Sequence, residues 1–216
     1  MIKVIIFDFG GVLINLNRQV AVDKLVELGV HDADSLLNNY VQSGLFLDLE
    51  SGAVTPDEFR NKLRADYRLQ HITDAQIDEA FLAFLLDVPE HKLQLLRRLK
   101  SSARNESGGP VRIVMLSNTN AIHFPYCIKK HFEYDGYTMD DYFHALYLSY
   151  EMRASKPDEE IFLKLLEAEN VKSEECFFLD DGPRNIDIAN RLGFQTHLVA
   201  IDDDLHQIIE NHGINY

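Results

Sequence analysis

Lys3-Val4-Ile5-Ile6-Phe7-Asp8-Phe9-Gly10-Gly11-Val12-Leu13 is an apolar run broken by one aspartate and then by two glycines. A short apolar run closed by a polar residue and glycines is the pattern of a buried strand that delivers a side chain to a loop. Strands of a parallel α/β sheet are covered on both faces and read as continuously apolar. Ligands bind beyond the carboxyl ends of such strands. Asp8 stands in that position, although taken alone it reads equally well as a turn aspartate.

Working outward, the chain alternates between two patterns. Strand-like runs recur at Val111–Leu116, Ala145–Leu148, Cys176–Leu179 and Thr196–Ala200. Helical periodicity separates them, from Lys156-Pro157 to about Glu169 and from Arg184 to Leu192 with a stop at Gly193. The last dozen residues read as a closing helix. Alternation of this kind implies right-handed crossovers and a parallel sheet. One connection is anomalous, because everything between Leu13 and Val111 lacks a convincing strand. Helices are expected over Arg18–Leu28, Ser35–Gln42, Thr55 to about Arg68, Thr73 to about Leu86, and from Pro89 onward, with a short apolar piece at Leu45–Leu49. Thr55-Pro56-Asp57-Glu58 and Thr73-Asp74-Ala75-Gln76 are capping boxes. The fold expected is α/β, a Rossmann-like parallel sheet core with an inserted all-helical cap. Residues 1–14 and 101–216 form the core, 15–88 the cap, and 89–100 a helix returning to the core.

Bulk properties narrow the class. A chain of 216 residues, 46% of them apolar, can bury a full core. A formal net charge of −14 argues against nucleic acid or an anionic membrane as a partner. The two cysteines, Cys127 and Cys176, form no metal-ligand spacing and suggest no disulfide framework. No apolar run approaches the length of a membrane span, so a cytoplasmic protein is expected, monomeric or homodimeric.

Polar clusters follow the strands on one side. Asp8 follows the first, Ser117 and Asn118 the second, and Asp180 and Asp181 the fourth, while Lys156 precedes the helix after the third. Carboxylates, a hydroxyl, amides and one cation at one sheet edge suit phosphoryl transfer. Asp8 and Asp181 offer hard oxygen ligands for Mg²⁺, and Asp8 is also a candidate nucleophile that would form an aspartyl-phosphate. Lys156 and the metal would offset repulsion between a carboxylate and a phosphate dianion.

In this order, Asp8-x-Gly-Gly, apolar-Ser117-Asn118, Lys156-Pro157 and Asp180-Asp181…Asn185 resemble the four motifs of the haloacid dehalogenase superfamily. Leu116-Ser117-Asn118-Thr119-Asn120-x-x-His123 and Phe177-Phe178-Leu179-Asp180-Asp181-Gly182-Pro183-Arg184-Asn185-Ile186 look like its bacterial α-D-glucose-1-phosphate phosphatase subgroup. The resemblance implies Asp8 as nucleophile and metal ligand, the backbone carbonyl of Gly10 and Asp181 as further ligands, and Asp180 bound directly or through water. It implies phosphate binding by Ser117, Asn118 and Lys156, with Asn185 supporting the last loop. One departure is evident. Phosphatases of the superfamily usually carry a general acid–base aspartate two residues after the nucleophile, and Gly10 stands there.

The function expected is therefore Mg²⁺-dependent hydrolysis of a small phosphorylated metabolite, favouring a sugar phosphate such as glucose 1-phosphate, with cap motion admitting substrate. A phosphoglucomutase, a dehalogenase, or a metal- or phosphate-binding protein that lost turnover through Gly10 are the alternatives. Among other residues, His123 reads as a solvated helix histidine more readily than as a substrate contact. Glu27, Glu50 and Asp202-Asp203-Asp204 read as solvated charge. The aromatic residues between Tyr126 and Phe143 read as local packing or the mouth of a site. Residues 15–17 and 44–50 are the candidates for cap residues that select substrate.

Overall fold

The computed structural model describes residues 1–38 and 42–216. Its strands are β1 (Val4–Phe7), β2 (Arg112–Ser117), β3 (Ala145–Leu148), β4 (Cys176–Asp180) and β5 (Gln195–Leu198). They form one parallel sheet in the order β3-β2-β1-β4-β5. The apolar run of the N-terminus therefore lies at the centre. Alternate residues point to opposite faces. Ile5 and Phe7 join Ile113, Met115, Phe177 and Leu179 on one face, whereas Val4 and Ile6 join Val114, Leu116 and Phe178 on the other.

Helices cover both faces, and two short ones, α7 (His123–Cys127) and α8 (Ser149–Met152), follow β2 and β3. α6 (Glu90–Ser102) and α11 (Leu205–Asn211) bury Leu93, Leu96, Leu99 and Ile209 against the first. α9 (Glu159–Glu169) and α10 (Pro183–Arg191) bury Phe162, Leu165 and Ala189 against the second. The register sets Phe7 opposite both Met115 and Leu179, so Asp8, Ser117 and Asp180 leave the sheet at the same edge.

Between β1 and β2 the described residues form α1 (Arg18–Leu28), α2 (Ala33–Leu36), α3 (Gly44–Glu50), α4 (Pro56–Tyr67) and α5 (Asp74–Leu82). Both expected capping boxes are formed, each with its threonine oxygen accepting from the backbone three residues on. Phe46, Phe59 and Phe81 lock α3, α4 and α5 together, with ring centroids 5.2–5.6 Å apart. This apolar centre is continuous with the first face of the sheet.

Several boundaries differ from those expected. The helix expected over Ser35–Gln42 is confined to Ala33–Leu36 where it is described, with Leu37 already extended; its part at 39–41 lies outside the described residues. α5 stops at Leu82 rather than near Leu86, because the next residues pair with the other connecting segment. Leu86 N–H donates to Asn15 O and Asn15 N–H to Asp87 O, both at 2.9 Å, and Asn17 N–H donates to Phe84 O at 2.8 Å. α9 begins at Glu159, leaving Lys156 on a turn ahead of it.

Candidate active site

Asp8 is placed by the end of β1, where its N–H donates to Leu179 O at 2.8 Å and continues the pairing with β4. The turn after it is tight. A Cβ on Gly11, whose φ is +71°, would lie 2.1 Å from Asp181 Oδ2. That space and that backbone conformation admit glycine alone, which brings the β1 and β4 turns into contact.

Lys156 reaches the same point from the turn before α9. Its Nζ donates to Asp8 Oδ1 at 2.7 Å and to Asp180 Oδ2 at 2.6 Å. Its backbone is clasped by one side chain, since Asn118 Nδ2 donates to Lys156 O and Lys156 N–H donates to Asn118 Oδ1, each at 2.8 Å. Asn118 thus spends its amide on positioning Lys156. Ser117 Oγ is buried and makes a long 3.4 Å contact with Asn118 O.

Asp180 is fully buried, and both its oxygens are engaged. Oδ2 accepts from Lys156, and Oδ1 accepts from Gly182 N–H at 2.7 Å and from Asn185 Nδ2 at 2.9 Å. Asn185 therefore braces the β4 turn. Asp8, Asp180 and Asp181 each present an oxygen within 4.8 Å of the others. Burial pushes the Asp8 carboxyl up to about 8, with Lys156 opposing and Asp180 and Asp181 adding to the rise. Burial, with Asp180 next, pushes Asp181 up to about 6. Burial alone would lower the Lys156 ammonium, but Asp180 and Asp8 outweigh it and hold it above its ordinary value. Two buried carboxylates and the half-buried Asp181 against one cation leave negative charge uncompensated. All-oxygen donors with that excess fit a hard divalent cation.

A cavity joins these groups to the helical insert. Leu16, Leu37, Phe81, Phe84 and Leu85 form its apolar wall, and Gln42 and Glu50 its polar one. Of the cap stretches expected to face the site, Leu16 and Glu50 do so. The contributions of Leu37, Gln42 and the segment from Phe81 to Leu85 were not expected. Their periodicity resembles that of any packed helix.

Two expectations are corrected. His123 is not solvated. It is 8% exposed, lies against the Phe81 ring with centroids 3.9 Å apart, and has Nε2 3.2 Å from Phe81 O. Burial pushes its imidazole down to about 4. Glu50 is 5% exposed rather than solvated. The aromatic residues from Tyr126 to Phe143 pack locally, with Phe132 edge-on to Tyr142 at 5.0 Å and Arg97 over Tyr137 at 4.4 Å. Cys127 and Cys176 are free and buried. Among the described residues no helix is long and apolar enough to cross a membrane.

Comparison with known proteins gives this geometry its relatives. A D-ribitol-5-phosphate phosphatase of Bacteroides thetaiotaomicron is 37% identical over 196 residues, which is 91% of each chain. A crystal structure of a haloacid dehalogenase family enzyme from the same organism, in complex with magnesium and inorganic phosphate, superposes with a TM-score of 0.85 at 35% identity, covering 96% of this chain and 99% of that one. A hydrolase of this type from Porphyromonas gingivalis gives 0.86 at 35% identity, with 98% and 97% covered. The L-2-haloacid dehalogenase of Xanthobacter autotrophicus shares the fold alone, at 18% identity and a TM-score of 0.57 over 98% of this chain and 82% of that one. Residues 2–193 match the model of the haloacid dehalogenase-like hydrolases, and with the strand order and the edge cluster above this chain belongs to that family.

Proposed function

We propose that this chain is a Mg²⁺-dependent phosphomonoesterase acting on a small sugar or sugar-alcohol phosphate through an aspartyl-phosphate on Asp8. The observation that carries it is the Asp8 carboxylate held at 2.7 Å by Lys156, beside Asp181, on the floor of a cavity walled by the helical insert. The phosphatase and the magnesium–phosphate complex among its relatives support the same reading.

In this mechanism an Asp8 oxygen attacks phosphorus and the ester oxygen leaves; water then hydrolyses the aspartyl-phosphate. Lys156 keeps Asp8 oriented and shares the charge gathering on the phosphate oxygens. Ser117 Oγ and the backbone at Asn118 bind those oxygens. Asp180 holds Lys156, and Asn185 holds Asp180. A magnesium ion held by Asp8, Asp181 and the Gly10 carbonyl, with Asp180 beside it, would neutralise the repulsion between carboxylate and phosphate. Residues 15–88 act as the cap on a core of 1–14 and 101–216, with 89–100 returning to it. The paired connections at 15–17 and 84–87 support that division.

The test is phosphate release with Mg²⁺ from ribitol 5-phosphate, glucose 1-phosphate, glucose 6-phosphate, nucleotides and p-nitrophenyl phosphate. Release that needs the metal and disappears in Asp8→Asn is expected, and the best substrate separates sugar-alcohol from sugar phosphates. A wild-type protein inert on the whole panel, the aryl ester included, would instead mark a binding protein without turnover.

A further inference from the structure

The proposed reaction needs a proton for the leaving oxygen and a base for the attacking water, and the position two residues after Asp8 offers neither. It is Gly10, and a Cβ built there would meet Leu16 Cδ1 at 3.1 Å. Leu16 fills the space that a longer side chain would need. Most polar residues around the cavity are committed. Lys156 is held between Asp8 and Asp180, and Asn118 clasps Lys156. Asn120 Oδ1 accepts from Ile122 and His123 N–H. His123 faces the Phe81 carbonyl.

Glu50 is the exception. It ends α3 and lines the same cavity as Asp8. It is 5% exposed and its Oε1 is buried with no hydrogen-bond partner, although Gln42 hydrogen-bonds the carboxyl. A buried carboxyl oxygen without a partner is unfavourable, so its position has to be enforced. Two contacts do so. Ser149 Oγ lies 2.7 Å from Glu50 O and 2.9 Å from Thr119 O, and accepts from Thr119 N–H at 3.0 Å. That ties the end of α3 to the loop carrying Ser117 and Asn118. Just beyond, a Cβ on Gly52 would lie 2.2 Å from Tyr150 O, so only glycine allows the chain to pack there. Burial, with Asp8 adding to it, pushes the Glu50 carboxyl up to about 8 against the pull of Lys156 and a hydrogen bond from Gln42, and this rise favours its acid form.

We propose that Glu50, held by the insert rather than by the β1 turn, is the proton-transfer residue of this site. The assignment rests on the phosphatase reading. When the Asp8 oxygen bonds to phosphorus, the bond from phosphorus to the ester oxygen breaks and its electron pair stays on that oxygen. The Glu50 proton passes to it, giving the free alcohol and a Glu50 carboxylate. Water then attacks the phosphorus of the aspartyl-phosphate, and Glu50 takes the water's proton. The bond to Asp8 breaks with its electron pair returning to the carboxylate, phosphate leaves, and Glu50 is protonated again.

Glu50→Gln keeps the shape and removes the transferable proton. It is compared with wild type and Glu50→Asp on ribitol 5-phosphate, an alkyl ester whose leaving oxygen needs a proton, and on p-nitrophenyl phosphate, whose leaving group departs without one. The expected loss in kcat for Glu50→Gln on the alkyl ester is about 100-fold or more, with Glu50→Asp in between. On the aryl ester, rapid mixing should show a burst of nitrophenolate of about one per site before a slowed steady rate, since only the second step still needs the base. Thermal unfolding of each variant checks the fold. Unchanged rates, an equal loss on both esters without a burst, or a change confined to KM for ribitol 5-phosphate would each overturn the assignment. An active wild type with any of these results leaves the phosphatase reading standing, whereas a wild type inert on both esters removes both.

Discussion

His123 shows how a single residue is bound to this site. It is packed on Phe81 and Phe84, and burial pushes its imidazole down to about 4 from 6.5. The unfolded chain therefore binds a proton between these values that the folded chain refuses. Stability is present above pH 6.5 and is lost as pH falls toward 4. At 1.36 kcal/mol per unit the loss approaches about 3 kcal/mol. Urea unfolding at pH 4.5 and 7.5 should show a steeper decline in wild type than in His123→Gln; parallel declines would mean that the ring stays solvated. Asp8, Lys156, Asp180 and Asp181 could be recognised in the sequence because each sits beside a strand end or a helix start. Glu50 could not. Leu49-Glu50-Ser51-Gly52 looks like the exposed end of a helix, and its burial comes from Ser149 and Tyr150, far along the chain.

At the scale of elements, local signals were read correctly where local chemistry decides. The threonines of the two capping boxes open α4 and α5 as expected, while Asn17 caps α1 and Gly29 closes it with φ 112°. The end of α5 was misread because Leu85 and Leu86 continue a helical pattern, while pairing with Asn15 and Asn17 prevails in the folded chain. That pairing is long-range, and periodicity carries no trace of it. The join between α3 and the loop after β2 is equally long-range, and it hangs on one hydroxyl. Ser149→Ala leaves Thr119 N–H and Glu50 O without their partner. The expected cost is about 1–3 kcal/mol in denaturant unfolding, accompanied by a fall in kcat because Glu50 loses its anchor. A stability change without any effect on kcat would show that the anchor is not needed for turnover.

For the whole molecule, the excess negative charge at the sheet edge makes stability depend on the cation. A ligand bound by the folded state alone adds about 2.7 kcal/mol at 100 times its Kd, which in a chain of 216 residues raises Tm by roughly 5–10 °C. Thermal scans with Mg²⁺ and with a chelator should show that rise in wild type and little of it in Asp181→Asn. An equal rise in both would place the ion elsewhere. The order β3-β2-β1-β4-β5 was legible only as alternation, since the sequence does not say which strands are neighbours. That order also governs how the protein comes into being. β1 is the first strand to be synthesised, yet its second neighbour, β4, is the fourth. A nascent chain that has emerged only as far as Met152 holds a strand bare along one edge, with Lys156, Asp180 and Asp181 still to emerge. The reactive centre is therefore assembled only once β4 has emerged, and until then the nascent chain carries an Asp8 without chemistry.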